Sequence, residues 1–201
     1  MREILIGTHN RHKTEEISRL LSPLGVRVRD LNEFPHIPPV EEDGKTLLEN
    51  SRKKANTYGG LTGLPCLADD TGLEVDALDG APGVHSARYA GKQCSYADNC
   101  AKLLKELGKK TNRKAAFKTV ISFFEPATGQ TSTAEGIVEG KITLGLKGKN
   151  GFGYDPVFFV PEAGRTLAEM TLEEKNKISH RARAVQKMLK LLERKISTRG
   201  K

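Results

Sequence analysis

The chain has no tryptophan, and aromatic residues fill only 5% of its 201 positions. A surface that grips nucleic acid by stacking needs aromatic platforms. Few are available here, so a nucleic-acid-binding module is the weaker reading despite a formal net charge of +8, and no helix-turn-helix or RNA-binding signature strengthens it. Cysteine is sparse as well. Cys66, Cys94 and Cys100 are odd in number and form no C-x-x-C pair, which argues against a disulfide framework and against a zinc site. That usage fits a reducing cytoplasm. Long apolar runs are missing: near the N-terminus only Ile4, Leu5 and Ile6 are consecutive hydrophobes, so neither a secretory signal nor a membrane span is expected. The Walker pattern G-x-x-x-x-G-K-[ST] is absent too, which removes the best-known phosphate loop.

What is present suits a single domain spanning residues 1–201, long enough to bury a hydrophobic core. The positive excess favours an anionic partner. Part of it sits in Lys187, Lys190, Arg194, Lys195, Arg199 and Lys201, read as a solvated helix face ending in a frayed basic tail over residues 196–201.

The order of elements reads as α/β. Glu3 to Gly7 is a short buried strand, followed by a helix from Lys13 to Leu21 with Ile17, Leu20 and Leu21 inward and Glu15, Glu16 and Arg19 outward. Thr46 and Glu49 have capping-box spacing, which starts a helix that runs to about Tyr58 and ends at Gly59 and Gly60. Pro65 to Asp69 reads as a strand that delivers Asp69 and Asp70 to a loop kept irregular by Gly72, Gly80, Pro82 and Gly83. Tyr96 to Leu107 is helical. Ala115 to Glu125 and Thr131 to Ile142 form a hairpin, Val157 to Val160 is a short strand, and Leu172 to about Ile196 is helical with a second capping box at Thr171 and Glu174.

Four constellations are suited to chemistry. T-H-N-R-H-K, Thr8 to Lys13, lies where a strand meets a helix, so free backbone N–H groups, the helix dipole and the side chains of Thr8, Asn10 and Lys13 favour phosphate. Glu41 with Glu42, and Asp69 with Asp70, are separate carboxylate pairs of the kind that hard Mg²⁺ takes alongside phosphate oxygens. In G-L-K-G-K-N-G-F-G-Y-D-P, the glycines allow close backbone approach, and Phe152 or Tyr154 either stacks on a base or anchors the loop to the core. In E-E-K-N-K-I-S-H-R, a continuous helix would turn His180 about 140° away from Lys175. A ligand meeting both requires a break, which Ser179, a good N-cap residue, places at Ile178 or Ser179.

Taken together, T-x-N-x-x-K at Thr8–Lys13, E-E-D-G-K-T-L-L-E-N, D-D-T-G-L-E-V-D-A-L-D-G-A-P-G-V-H-S-A-R-Y-A-G, G-F-G-Y-D-P-V-F and E-E-K-N-K-I-S-H-R-A resemble the inosine triphosphate pyrophosphatase family from Ile4 to Ala184. The resemblance implies a long, mixed, twisted sheet flanked by helices, two lobes around a central substrate cleft, and a homodimer. It implies Mg²⁺-dependent hydrolysis of non-standard purine nucleoside triphosphates (ITP, dITP, XTP) to the monophosphate and pyrophosphate. Thr8, Asn10, Lys13 and Lys54 would hold the triphosphate, and Glu41 and Asp70 the metal. Asp70 would accept a proton, with Asp69 beside it and Thr71 in contact with substrate. Phe152, Gly153, Tyr154 and Asp155 would wall the base pocket, with Phe152 stacking on the purine. Lys175, His180 and Arg181 would complete the pocket towards the 6-keto oxygen. A pyrophosphatase or phosphatase for other modified nucleotides is the rival within the enzyme class.

Overall fold

The computed structural model describes residues 3–199, with side chains as far as residue 193. The described residues form eight strands and five α-helices. Strand β1 (Glu3–Ile6) leads into α1 (Arg11–Leu21), β2 (Arg27–Asp30), α2 (Leu47–Thr62), β3 (Cys66–Val75), β4 (Pro82–Gly83) and α3 (Tyr96–Leu107). Then come β5 (Lys114–Glu125), β6 (Gln130–Ile142), β7 (Phe158–Val160), β8 (Arg165–Thr166), α4 (Leu172–Ile178) and α5 (His180–Arg199). The strands form one mixed sheet in the order β2-β1-β3-β5-β6-β7-β8, with β4 paired to β3. Pairing is parallel for β1 with β2 and with β3, and antiparallel for β6–β7–β8. This is the expected α/β architecture. Among the described residues no helix is long and apolar enough to cross a membrane.

The fold divides into two compact units. The first comprises residues 1–70, 119–136 and 181–201. Its core joins Ile4 and Ile6 of β1, Ile17 and Leu21 of α1, Leu67 of β3, Ile121 and Phe123 of β5, and Ala184, Val185 and Met188 of α5. The second comprises residues 71–118 and 137–180. There Leu73 and Val75 pack with Leu103 and Leu107 of α3, Phe117 of β5 and Phe158 of β7. Burial of side chains of this size is worth roughly 1.5–3 kcal/mol each.

Three local features depart from the sequence-based expectations. Helix α2 does not end at Gly59 and Gly60 but continues to Thr62 and stops at Gly63, which takes the left-handed conformation with φ 67. A Cβ on Gly59 would lie 2.5 Å from Phe124 Cδ1, so this glycine marks a close approach inside the helix rather than its end. Strand β3 runs through Asp69 and Asp70 instead of releasing them into a loop, because both carboxylates find cationic partners in place. Glu16 does not face outward: it is buried, with Arg181 as its partner. The final helical segment is broken where the sequence places the break, at Ser179, whose backbone is extended (φ −65, ψ 157). The expected tail at 196–201 falls partly on residues 200 and 201, outside the described residues, and the backbone of α5 remains helical as far as Arg199.

Candidate active site

In the first unit the site is built around two consecutive residues of β3. Successive side chains of a strand point to opposite faces, so Asp69 and Asp70 meet different partners. Asp69 Oδ2 accepts from Nε (3.2 Å) and Nη2 (3.1 Å) of Arg181, while its Oδ1 lies 3.1 Å from Lys13 Nζ. Arg181 Nη1 donates to Glu16. Asp70 Oδ1 accepts from Lys54 Nζ at 3.2 Å and Oδ2 from Asn50 Nδ2 at 3.1 Å. Lys54 also donates to Glu42 at 2.6 Å.

Local structure explains how these groups are presented. The Asn10 carboxamide oxygen caps α1 by accepting from the N–H groups of His12 (3.0 Å) and Lys13 (3.4 Å), and Thr8 Oγ1 accepts from Asn10 N–H at 3.1 Å. The side-chain oxygens of Thr8 and Asn10 therefore shape the turn, and Lys13 in the first helical turn is aimed at Asp69. Thr46 caps α2 by accepting from Glu49 N–H at 3.1 Å, while the Glu49 carboxylate takes the N–H of Lys45 rather than that of Thr46. Asn50 and Lys54 stand four residues apart, hence on one helical face. Gly44 N–H donates to Asn50 Oδ1 at 2.8 Å, which fixes the amide so that its nitrogen faces Asp70.

The adjacent carboxylates are pushed in opposite directions. Burial opposes ionisation of Asp69, yet Lys13, then Arg181 and Lys54, outweigh it and hold the carboxyl far below its usual range. For Asp70 burial dominates over Lys54, and with Glu42 adding repulsion the carboxyl is raised. Burial also works against the charge of Lys54, but Asp70 first and Glu42 second keep its ammonium above the ordinary value. Environments that drive two carboxylates apart in this way are the usual means of giving one a fixed charge and the other a proton to exchange.

The second unit carries a loop built on one carboxylate. Asp155 Oδ2 accepts from Phe152 N–H at 2.8 Å and from Lys175 Nζ at 2.5 Å. A Cβ on Gly151, at φ +73, would lie 2.1 Å from that same oxygen, so the turn requires glycine there. Lys175 Nζ stands 4.8 Å from the Phe152 ring centroid. The Tyr154 ring is buried in the core and its hydroxyl donates to the Ser86 carbonyl at 2.9 Å. Of the two loop aromatics, Tyr154 is thus an anchor, and Phe152, half-buried, is the one that can present a face. The Gly153 carbonyl accepts from Cys100 Sγ at 3.4 Å. His180 is buried and stacked on Phe117, with centroids 4.4 Å apart and planes at 17°.

The predicted site residues therefore gather in two groups. Lys13, Lys54, Asp69, Asp70 and Arg181 lie in the first unit with Thr8 and Asn10, and Phe152, Gly153, Asp155, Lys175 and His180 lie in the second, where Thr71 follows Asp70 on β3. Glu41 is exposed, whereas its neighbour Glu42 reaches Lys54. Among the described residues no group of three or more His, Cys, Asp or Glu side chains is arranged to hold a metal. Magnesium does not need such a cage: it is commonly held by one or two carboxylates with substrate phosphates and water. Asp70 with a glutamate from the segment before α2 fits that donor set. Sequence reasoning missed Glu16 and Asn50. Each had a signal, Glu16 three residues after Lys13 and Asn50 four before Lys54, spacings that share a helix face.

Comparison with known proteins identifies the family of the chain. A family model described as the Ham1 family matches residues 4–191. A dITP/XTP pyrophosphatase of Desulforamulus reducens is 48% identical over 194 residues, covering 96% of each chain. One from Geobacter sulfurreducens is 49% identical over 187 residues, 92% of this chain and 94% of that one. Among solved structures, a Ham1 protein from Coxiella burnetii superposes with a TM-score of 0.86 at 41% identity, covering 96% of this chain and all (100%) of that one. The Ham1 protein of Staphylococcus aureus gives 0.85 at 39% identity, with the same coverage of 96% and 100%. With the family model spanning nearly the whole sequence and the fold shared, this chain belongs to the Ham1 family.

Proposed function

We propose that this chain is a nucleoside triphosphate pyrophosphatase that hydrolyses non-standard purine nucleoside triphosphates, ITP, dITP and XTP, to the monophosphate and pyrophosphate. The observation that carries the reading is the pair of consecutive carboxylates on β3, Asp69 bound to Lys13 and Arg181 and Asp70 bound to Lys54 and Asn50. The names of the relatives, dITP/XTP pyrophosphatases at nearly half identity, support it.

Water attacks the α-phosphorus and pyrophosphate leaves. A substrate with about four negative charges must be neutralised for this to occur, and Lys13 and Lys54, already among carboxylates, would exchange those contacts for phosphate oxygens. Thr8 and Asn10, in the turn before α1, would donate to the same phosphates through the hydroxyl and the amide NH₂. Asp70 accepts the proton of the attacking water, and Asp69, held ionised, keeps Arg181 in place. Asp70 with Glu41 or Glu42 would hold Mg²⁺, which when bound stabilises charge on the phosphate oxygens.

Base recognition belongs to Phe152, whose ring stacks on the purine, and to donors directed at the 6-keto oxygen, for which Lys175, His180 and Arg181 are the candidates. Buried donors left unpaired by the amino group of adenine make rejection of ATP steep. Homodimerisation is proposed on the family resemblance, and a cytoplasmic place of action on the sparse cysteines without a C-x-x-C pair. The deciding experiment supplies ITP with Mg²⁺ and measures pyrophosphate against orthophosphate. Stoichiometric pyrophosphate with inosine monophosphate is expected. Release of orthophosphate, or equal turnover of ATP, would reject the reading.

A further inference from the structure

Helix α3 begins at the loop that carries Phe152. Its first residue, Tyr96, is 43% exposed although its ring is large and apolar. The ring is not isolated: its centroid lies 5.8 Å from that of Phe152, with the planes tilted by 47°. One helical turn later Cys100, on the same face of α3, donates its S–H to the Gly153 carbonyl at 3.4 Å. Two residues of one helix face thus meet two consecutive residues of the same loop. The start of α3 is firmly set, because Ser95 and Asp98 form a reciprocal capping box.

We infer that Tyr96 is a second aromatic contact for the purine base and a determinant of nucleotide affinity in this chain. The inference rests on the function proposed above and deepens it. A pair of rings at 47° is neither a face-to-face stack nor a perpendicular contact, and the exposed ring of Tyr96 lies beside the half-buried Phe152. Lys175, over the Phe152 ring and tied to Asp155, holds that ring in place while Tyr96 stays at the exposed side. A purine is a flat aromatic ligand that two neighbouring rings of this kind can contact together. Tyr96 loses few torsions on ordering, which is why tyrosine serves binding surfaces well.

The test uses the full chain and two ligands that separate base from phosphate: inosine monophosphate and tripolyphosphate. Base–aromatic stacking of ordinary strength predicts that Tyr96→Ala raises KM for ITP by roughly ten-fold and weakens inosine monophosphate binding by the same factor. It should leave kcat within about two-fold and tripolyphosphate inhibition unchanged. Tyr96→Phe, which keeps the ring, should behave as wild type. Because the chain has no tryptophan, Tyr96→Trp introduces a single indole, whose emission should change on adding inosine monophosphate and not on adding tripolyphosphate.

Wild-type KM for ITP in Tyr96→Ala would overturn the inference while leaving the pyrophosphatase reading intact. Equal losses for inosine monophosphate and tripolyphosphate, with a lowered Tm, would also overturn it, by reducing Tyr96 to a packing contact of α3. A wild-type protein that neither hydrolyses ITP nor binds inosine monophosphate would remove both readings together.

Discussion

Asp69 and Asp70 share a strand and a charge but not a role, and substitutions should separate them. Asp70→Asn keeps the shape of the side chain and a partner for Asn50 but removes the basic oxygen. It should lower kcat for ITP by at least about two orders of magnitude with little change in Tm; near wild-type turnover at saturating Mg²⁺ would take Asp70 out of the chemistry. Asp69→Asn is instead a stability variant. It leaves the guanidinium of Arg181, 1% exposed, with less than its full counter-charge, and breaking a buried pair costs about 3–5 kcal/mol. The pKa of Asp69 is depressed by Lys13 and Arg181, so its contribution is present above the unfolded-state value and is lost only as pH falls through the much lower folded one. The cost measured by urea denaturation should therefore be the same at pH 7 and pH 5, and a cost that shrinks by pH 5 would show that Asp69 titrates normally. Arg181→Lys retains the charge but loses the fork that spans Asp69 and Glu16. If the guanidinium also reads the 6-keto oxygen, the ratio of kcat/KM for ITP over ATP should shrink by about ten-fold or more. An unchanged ratio would confine Arg181 to positioning Asp69.

At the scale of elements, helix α2 separates propensity from packing. Gly59 and Gly60 are consecutive and helical, yet a Cβ on Gly60 meets nothing within 4 Å, whereas one on Gly59 lies 2.5 Å from Phe124 Cδ1. Alanine favours a helix interior over glycine by about 1 kcal/mol, while an added methyl forced into a filled core costs about 1–3 kcal/mol. Gly60→Ala should accordingly raise Tm and Gly59→Ala lower it; the same sign for both would show that the Phe124 ring yields freely. The same helix shows why its end was illegible. A pair of glycines reads locally as a stop, and only the aromatic packed against one of them explains why it is retained inside the helix. Helix α3 was readable at both ends, Tyr96 to Leu107, because its apolar residues repeat at helical spacing up to Gly108. The break between α4 and α5 was readable for a different reason: the unlike demands on Lys175 and His180 could be met only if the helix stopped near Ser179.

For the whole molecule, sparse cysteine has a checkable consequence. Burial pushes the Cys66 thiol well above its usual range and that of Cys100 up to about 11, while Cys94 is half-exposed. At pH 8 the two buried thiols stay protonated and shielded, so iodoacetamide should modify one cysteine per native chain and all three after denaturation, as mass spectrometry would count. Labelling of Cys100 should stay slow until pH approaches 11.

The α/β order of elements, the candidate phosphate turn and the acidic pair followed from sequence, because they depend on periodicity, caps and residue types within short windows. The partners of those residues did not. Glu16 reads as one more outward charge of an amphipathic helix until Arg181, 165 residues away, is placed against it. Asp69 and Asp70 read as a loop pair until their cations let β3 continue through them. Charge in a sequence carries no record of its counter-ion. Only the folded chain brings the two together and determines whether a carboxylate is solvated at the surface or held ionised in the core.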